Sequence, residues 1–229
     1  KYVLENDFLA IEVSTFGAEL QSIRDKATGF EYLWYGDKTY WGRRSPVLFP
    51  IVGKVWEGRM RYQGAEYQLS QHGFARDCEF ELIDVFDLNK KFNYCFSASK
   101  VLAFVLHSNE DTRKLYPFDF SLYIAYQLNG REVEVYWIVE NHTDGDIYFQ
   151  IGAHPAFNYR DFDGDADIQG YMQFDKSGDL LLTRLECSGY AAKNRGVMNV
   201  PVMGIPITKD TFAGDALVFE NQLKRVALC

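Results

Sequence analysis

FDFSLYIAYQLNGREVEVYWIVEN, residues 118–141, is the stretch that decides the fold. Apolar residues occupy alternate positions from 120 to 128 and again from 133 to 139, which is the period of a β-strand with one buried face. Asn129-Gly130 separates the two runs, and this dipeptide accepts the positive φ angles of both central positions of a type I′ turn. The pattern predicts two adjacent antiparallel strands joined at Asn129-Gly130.

Short runs of the same kind recur along the chain. No apolar period of 3.6 residues is sustained over three turns, and aromatic residues make up 16% of the sequence, which suits half-buried sheets better than helix bundles. We therefore predict an all-β fold in a single domain, residues 1–229, since sandwiches of this length occur as one domain. The further strand candidates are residues 8–14, 59–69 with a break at Gln63-Gly64, 79–86, 92–98, 147–151 and 216–219.

Charge and cysteine content narrow the class of partner. The 24 Lys and Arg against 32 Asp and Glu give a formal charge of −8, which repels a phosphate backbone, so we expect no nucleic-acid partner. The four cysteines are widely spaced and form no CxxC pair, which is typical of reduced thiols in the cytoplasm. The sequence shows no apolar run of membrane-spanning length and no basic-then-apolar leader, so we expect no membrane partner.

Common cofactor and metal motifs are missing from the sequence. HExxH, GxSxG, GxGxxG and GxxxxGK[ST] do not occur. The acidic run at residues 161–170 departs from a calcium loop, because Ala166 and Met172 stand where the loop needs glycine and glutamate. We therefore predict no metal and no cofactor.

Two of the four histidines stand beside or near glycine in aromatic surroundings. They are His72 in QHGF and His154 in GAHPAF. Glycine permits close backbone approach at a strand end, and imidazole suits proton transfer near neutral pH. An isolated histidine is more often a hydrogen-bonded core residue, and that interpretation stays open for each of them. For His107 and His142, which we place in polar turns, it is the preferred interpretation.

Arg43-Arg44 precedes an apolar run bracketed by prolines, which resembles a loop that enters a buried strand. An arginine there can hold ligand oxygens through its fork of donors. A surface pair beside acidic neighbours is the ordinary alternative, and taken singly these residues favour it.

Several blocks read together are similar to the aldose 1-epimerase (galactose mutarotase) family, and within it to the LacX-like branch. The match is collinear and covers nearly the whole chain. The blocks are WGRRSPVLFPIVG from Trp41, QHGFARDCEFEL from Gln71, LYPFDFSLYIAYQL from Leu115, VENHTDGDIYFQIGAHPAFN from Val139 and DTFAGDALVFEN from Asp210. The resemblance implies a large antiparallel β-sandwich that interconverts the α and β anomers of a free hexose.

The resemblance also implies roles for individual residues. His154 is expected to protonate the ring oxygen as general acid, while His72 and Arg43 hold the ring oxygen and neighbouring hydroxyls. Arg44 replaces Arg43 if the register shifts by one. Asp215 is the expected ligand of sugar hydroxyls, with Asp210 as its alternative.

The family's catalytic glutamate has no evident counterpart here. After Leu180 the only glutamates are Glu186 and Glu220, and neither lies in a segment like the family's. We expect a C-terminally truncated form, with a substitute carboxylate or loss of catalysis as alternatives. Two other functions therefore stay open: a non-catalytic carbohydrate-binding protein, and a hexose-phosphate 1-epimerase that uses Arg43, Arg44 and Arg76. The partner is in each case a small sugar, and the protein a monomer or homodimer.

Overall fold

A computed structural model describes residues 1–185, 190–219 and 223–229. They form two compact units, Lys1–Asn158 and Tyr159–Cys229. The structure is 42% strand and 10% helix. The expectation of one domain over residues 1–229 stays a prediction.

The first unit contains eleven strands within its described residues, paired in antiparallel sheets. Their orders are β1-β2-β3, β10-β9-β8-β7, β5-β6 and β11-β4. The strands are β1 (Tyr2–Glu5), β2 (Leu9–Val13), β3 (Leu20–Asp25), β4 (Val47–Leu48), β5 (Arg59–Tyr62), β6 (Ala65–Gln68), β7 (Glu81–Ile83), β8 (Val101–His107), β9 (Phe120–Asn129), β10 (Glu132–Asn141) and β11 (Gly152–Ala153).

The predicted central hairpin is confirmed as β9 and β10, with one correction to its turn. Asn129 pairs with Glu132, so the two-residue loop is Gly130-Arg131 and lies one position later than expected. Gly130 has φ +58°, whereas Asn129 and Arg131 keep negative φ. Positive φ at the first central residue alone is the pattern of a type II′ turn, in place of the type I′ turn predicted.

Strand β9 is buried on both faces. On one face Leu122 and Ile124 belong to the main apolar core of this unit. On the other face Tyr123 and Ala125 belong to a second apolar cluster, against which helix α1 (Val85–Phe92) packs Leu88. The sheet is therefore covered on both sides along much of its length.

Helix α1 lies between two strands that the sequence predicted and overlaps one end of each. Of the strand predicted at residues 79–86 only β7 forms, and the strand predicted at residues 92–98 is wrong. Asp84 caps the helix by accepting a hydrogen bond from the Phe86 N–H at 2.7 Å, and Asn93 ends it in the left-handed region. A second helix, α2 (Glu110–Leu115), begins at a capping box formed by Asn109 and Thr112.

Other strand predictions have mixed outcomes. The strand predicted at residues 8–14 is confirmed as β2, and the broken pair at 59–69 is confirmed as the hairpin β5-β6. Residues 147–151 are not a strand, and pairing begins only at Gly152. Among the described residues no helix has the length and apolar character needed to cross a bilayer.

The second unit has its own small apolar cluster, formed by Leu180, Val200 and Ile205. Within residues 216–219 only Val218 pairs, through a single bridge to Thr183. The sheet orders are β15-β12-β16 and β13-β14. The strands are β12 (Gly170–Phe174), β13 (Gly178–Leu185), β14 (Ala191–Val200), β15 (Ile205–Ile207) and β16 (Val226–Leu228).

Candidate active site around His72 and His154

Strand β4 brings together two segments that are far apart in sequence. It pairs antiparallel with β11, and the His154 N–H, just beyond β11, donates to the Pro46 carbonyl at 3.0 Å. Phe49, just beyond the other end of β4, forms a bridge with Gly73. The expectation that the arginine pair leads into a buried strand is confirmed, since residues 45–50 are all buried.

Gly73 fixes the position of the histidine before it. The Phe74 N–H donates to the Phe49 carbonyl at 3.0 Å, which draws the two backbones into contact. A Cβ on Gly73 would lie 2.2 Å from the Phe49 carbonyl oxygen, and the residue has φ +71°. Both features require glycine. The close approach predicted from the HG pair is therefore an approach to another strand of the protein.

The backbone of Gly53 decides which nitrogen of His72 carries the proton. The Gly53 N–H donates to Nδ1 of His72 at 3.0 Å, and the His72 N–H donates to the Gly53 carbonyl at 2.8 Å. Because Nδ1 accepts, the neutral ring carries its hydrogen on Nε2. The Gln71 side-chain amide lies 3.3 Å from Nε2 and accepts from it when its oxygen faces the ring. His72 therefore offers a fixed N–H donor.

The surroundings of His72 oppose its protonation. Burial, and then the charge of Arg76 and the neighbouring His154 and Lys54, lower the pKa of His72 from 6.5 to about 4. Protonation would also place a second hydrogen at Nδ1, where the Gly53 N–H already points. The ring is thus neutral at pH 7 and has no proton to give as an acid.

The imidazole of His154 has the opposite character. It belongs to an exposed residue, and its ring centre lies 5.8 Å from that of His72 and 5.1 Å from that of Trp41. Among the described residues no hydrogen bond to this ring is present. The structure therefore brings the two predicted histidines together, with the ring of His154 beside the indole of Trp41.

Arg43 lies in a network with Asp77 and Arg76. It donates to the Asp77 carboxylate at 2.6 Å and to the Arg76 carbonyl at 3.2 Å. Arg76 donates to the Gln71 carbonyl at 2.7 Å, and its buried Nε lies 3.7 Å from Asp77 without a hydrogen bond. Arg76 therefore holds the backbone of Gln71, the residue before His72. Arg43 and Arg76 both lie beside the Asp77 carboxylate.

Arg44 is engaged elsewhere. Its guanidinium donates to the Gln21 carbonyl at 2.5 Å, and its backbone N–H donates to the buried carboxylate of Glu19 at 2.7 Å. The Ser45 N–H donates to the same carboxylate at 2.9 Å. These contacts attach the loop that carries Arg44 to the protein core.

The two predicted aspartates belong to the second unit. Asp215 is exposed, has φ +80°, and donates its N–H to the Phe212 carbonyl at 3.0 Å. Asp210 lines a cavity of about 390 Å³ together with Arg184. Their roles stay predictions. Glu186 and Glu220, the glutamates considered for the catalytic base, lie outside the described residues.

Trp41 and Gly53 were not identified by sequence reasoning. Trp41 stands two residues before Arg43 in WGRR, so its place in that block was the available signal. For Gly53 no signal existed, because its N–H meets His72 across 19 positions of chain.

Comparison with known proteins identifies the family. A sequence profile described as aldose 1-epimerase matches residues 1–181. The chain therefore belongs to the aldose 1-epimerase family, which confirms the resemblance of the sequence blocks.

Individual relatives agree with this assignment. The plasmid-encoded protein LacX of Lactococcus lactis subsp. lactis is 34% identical over 161 residues, which are 68% of this chain and 50% of the relative. The chain thus spans about half the length of that relative. A galactose mutarotase related enzyme from Lactobacillus acidophilus has a TM-score of 0.83 and 32% identity, and the match covers 95% of this chain and 68% of that one.

A third relative confirms the fold class. A galactose mutarotase-like protein from Lactobacillus casei ATCC 334 has a TM-score of 0.83 and 30% identity, and the match covers 100% of this chain and 74% of that one. The strand-rich structure is that of galactose mutarotase-like proteins, so the predicted all-β antiparallel sandwich class is confirmed.

Proposed function

We propose that this protein is an aldose 1-epimerase that interconverts the α and β anomers of a free hexose by general acid and base catalysis. The observation that carries the proposal is the pairing of two rings at 5.8 Å. One is the exposed ring of His154, which has no hydrogen-bond partner among the described residues, and the other is the neutral, backbone-fixed ring of His72. Family membership supports the reaction class. The pair offers one group that can transfer a proton and one that can only donate a hydrogen bond.

In this proposal His154 is the general acid. Its proton passes to the ring oxygen as the bond from that oxygen to the anomeric carbon breaks, and a base removes the proton of the anomeric hydroxyl. The product is an open aldehyde, which turns about its first carbon–carbon bond and recloses with both protons returned. Each proton transfer contributes roughly 10²- to 10⁴-fold to the rate. Histidine suits the role because its ordinary pKa of about 6.5 lets it give and retake a proton near neutrality.

His72 is a positioning donor rather than a second acid. Its Nε2–H is held toward the site by the Gly53 contact and stays neutral across the working pH range. We propose that it donates to a ring or hydroxyl oxygen, that Arg43 holds a neighbouring hydroxyl, and that the Trp41 ring contacts the apolar face of the sugar.

The base is not assigned among the described residues of the first unit. Asp215 remains the proposed ligand of sugar hydroxyls, and Glu186 and Glu220 remain open. No cofactor and no metal takes part in the proposed reaction, since acid and base suffice. The proposed setting is the cytoplasm, with a small hexose as the only partner.

Polarimetry on fresh α-glucose and α-galactose tests the proposal. We expect the optical rotation to relax faster than in buffer, and His154→Ala to remove about 10²-fold or more of that enhancement. The matched control is Phe86→Ala, which truncates an exposed ring on α1 and should leave the rate unchanged. A protein that relaxes the rotation no faster than buffer would refute the enzyme proposal.

A non-catalytic carbohydrate-binding protein is the second candidate. It is favoured by one observation: Glu186 and Glu220 are the only glutamates after Leu180, and neither lies in a segment like the family's catalytic one. Calorimetry separates the candidates. Hexose binding without exchange between anomers in NMR spectra would favour the binding protein, whereas exchange catalysed by wild type and lost in His154→Ala would exclude it.

A hexose-phosphate 1-epimerase draws less support from the geometry. Arg43 and Arg76 both lie beside Asp77, but the guanidinium of Arg44 donates to the Gln21 carbonyl. Rates on glucose and glucose 6-phosphate compared by polarimetry decide this point. A clear preference for the phosphate ester would favour the hexose-phosphate reaction.

A further inference from the structure

The two remaining histidines also form a pair, on the face of the sheet β10-β9-β8-β7 that carries Tyr123. His107 on β8 and Glu140 on β10 are both cross-strand partners of Ser121 on β9, and His142 follows β10. The hydroxyl of Ser121 lies 2.8 Å from Nδ1 of His107 and 2.7 Å from Nε2 of His142. The expectation that His107 stands in a turn is wrong, because it is the last residue of a strand.

One hydroxyl serves both imidazoles, which fixes their hydrogen bonding. Ser121 is 1% exposed and has one hydrogen to donate, so it can donate to one ring nitrogen and must accept from the other. Nε2 of His142 also lies 3.4 Å from the Glu140 carboxylate, so this nitrogen is the donor. In the neutral rings His107 then has its Nε2–H left as a donor, whereas the remaining nitrogen of His142, Nδ1, is an acceptor.

The carboxylates beside this pair are already neutralised. Glu140 is contacted by the Lys91 ammonium at 2.8 Å and accepts from the Tyr123 hydroxyl at 3.2 Å. One oxygen of Asp119 accepts from Arg113 Nε at 2.5 Å and from the Ser108 hydroxyl at 3.1 Å. These contacts engage one oxygen of each carboxylate.

The donors are not used to the same extent. Arg113 donates its Nε–H to Asp119. Among the described residues its two terminal nitrogens have no hydrogen-bond partner. The same cavity of about 420 Å³ is lined by Arg113, Lys91, His107 and His142. Two free guanidinium nitrogens beside a lysine ammonium suit a ligand that is rich in hydrogen-bond acceptors.

We propose that this cavity, lined by Lys91, His107, Arg113 and His142, binds a small tetrahedral oxyanion such as inorganic phosphate or the phosphoryl group of a phosphate ester. The site is separate from the pair His72 and His154, and the proposal does not depend on the epimerase activity. A guanidinium with two free terminal nitrogens matches two oxygens of such an anion, and the Lys91 ammonium and the Nε2–H of His107 supply further donors.

Titration of the full chain with inorganic phosphate and with sulfate, followed by calorimetry and by imidazole NMR signals, tests the proposal. We expect saturable binding that shifts the signals of His107 and His142. Sulfate is the second probe, because it presents the same tetrahedral arrangement of oxygens as phosphate and should bind at the same site. Arg113→Gln should weaken phosphate binding about tenfold or more.

Arg59→Gln is the matched control. The Arg59 ion pair with Glu66 has side chains 43% and 46% exposed, close to the 47% and 44% of Arg113 and Asp119, so both variants lose a comparable surface pair. The control should keep full phosphate affinity. Equal affinities in the two variants, absence of saturable binding, or shifts confined to His72 and His154 would each overturn the proposal. Glucose competing as well as phosphate would also overturn it, because a hexose is not an oxyanion.

Discussion

The four histidines of this protein form two pairs, and the two pairs differ in what holds their rings. In the first pair His72 is fixed by the backbone of Gly53, while His154 has no hydrogen-bond partner for its ring among the described residues. In the second pair His107 and His142 both bond to the hydroxyl of Ser121. The ring of His154 beside the fixed ring of His72 suits proton transfer. The rings of His107 and His142 share one buried hydroxyl, which suits a fixed arrangement of polar groups.

The difference follows from the backbone around each pair. The first pair lies beyond opposite ends of the two-residue strand β4, where Phe49 bridges to Gly73 and Pro46 accepts from the His154 N–H. The second pair lies on and just after long neighbouring strands, where cross-strand register sets the side chains directly opposite one another. Irregular backbone leaves the His154 ring without a hydrogen-bond partner among the described residues, whereas regular pairing holds His107 and His142 on one hydroxyl.

The largest expected effect comes from the glycine that fixes His72. Gly73→Ala should destabilise the protein by more than the positive φ alone accounts for, because the new Cβ meets the Phe49 carbonyl. Gly64→Ala is the matched control, with φ +80° and nothing within 4 Å, and should cost about 1–2 kcal/mol. Denaturant unfolding should show an additional cost of about 1–3 kcal/mol for Gly73→Ala. Equal costs for the two variants would show that the close approach is not a constraint.

Ser121→Ala removes the hydroxyl that joins His107 and His142. The change leaves Nδ1 of His107 and Nε2 of His142 without their shared partner at a buried position, so we expect a loss of about 1–3 kcal/mol in the free energy of unfolding. Ser97→Ala, which removes an exposed hydroxyl that contacts only Ser99, should stay within about 0.5 kcal/mol of wild type. A loss no larger than that of the control would mean that the serine does not join the two rings.

The neutral state of His72 makes the stability of the protein depend on pH. The pKa of His72 is about 4 in the folded protein against 6.5 for an ordinary histidine, so the unfolded chain takes up a proton first. Stability is full above pH 6.5 and is lost as the pH falls toward 4. Because the ring is only partly buried, we expect a loss of about 1–2 kcal/mol.

His72→Gln checks that dependence. Unfolding of wild type and variant compared at pH 7.5 and pH 5 should show a smaller drop in the variant, because its amide does not titrate. The same drop in both proteins would contradict the account of a neutral His72.

The smallest expected effect on stability belongs to the proposed acid. His154→Ala removes an exposed side chain whose ring has no hydrogen-bond partner among the described residues, so the free energy of unfolding should stay within about 0.5 kcal/mol of wild type. Thermal or denaturant unfolding measures this. A cost above 1 kcal/mol would show that the ring has a structural role and would weaken its assignment to chemistry.

The sequence predicted elements whose period was long and regular. The alternation from 120 to 139 predicted β9 and β10, although the turn came one residue later because only Gly130 adopts positive φ. Helix α1 was missed because it has only two turns, and its apolar residues Val85 and Leu88 extend a run that also reads as a strand. Short elements depend on what they pack against, and that information is not local.

The sequence predicted the two histidines of the candidate site, but it did not predict the role of each residue. The HG and GAH blocks identified His72 and His154, and the structure brings the two rings to 5.8 Å. The neutrality of His72 depends on the N–H of Gly53 and on burial, and the engagement of Arg44 depends on Glu19 and Gln21. Such contacts join distant positions, so a single sequence does not reveal them.

Imidazole NMR during titration with galactose is the most direct test of the claim that His72 and His154 form the sugar site. The account predicts saturable shifts of the His72 and His154 signals, with His72 remaining in its Nε2–H form at pH 6 and the signals of His107 and His142 unmoved. Shifts confined to His107 and His142, or a His72 ring that gains charge near pH 6.5, would contradict it.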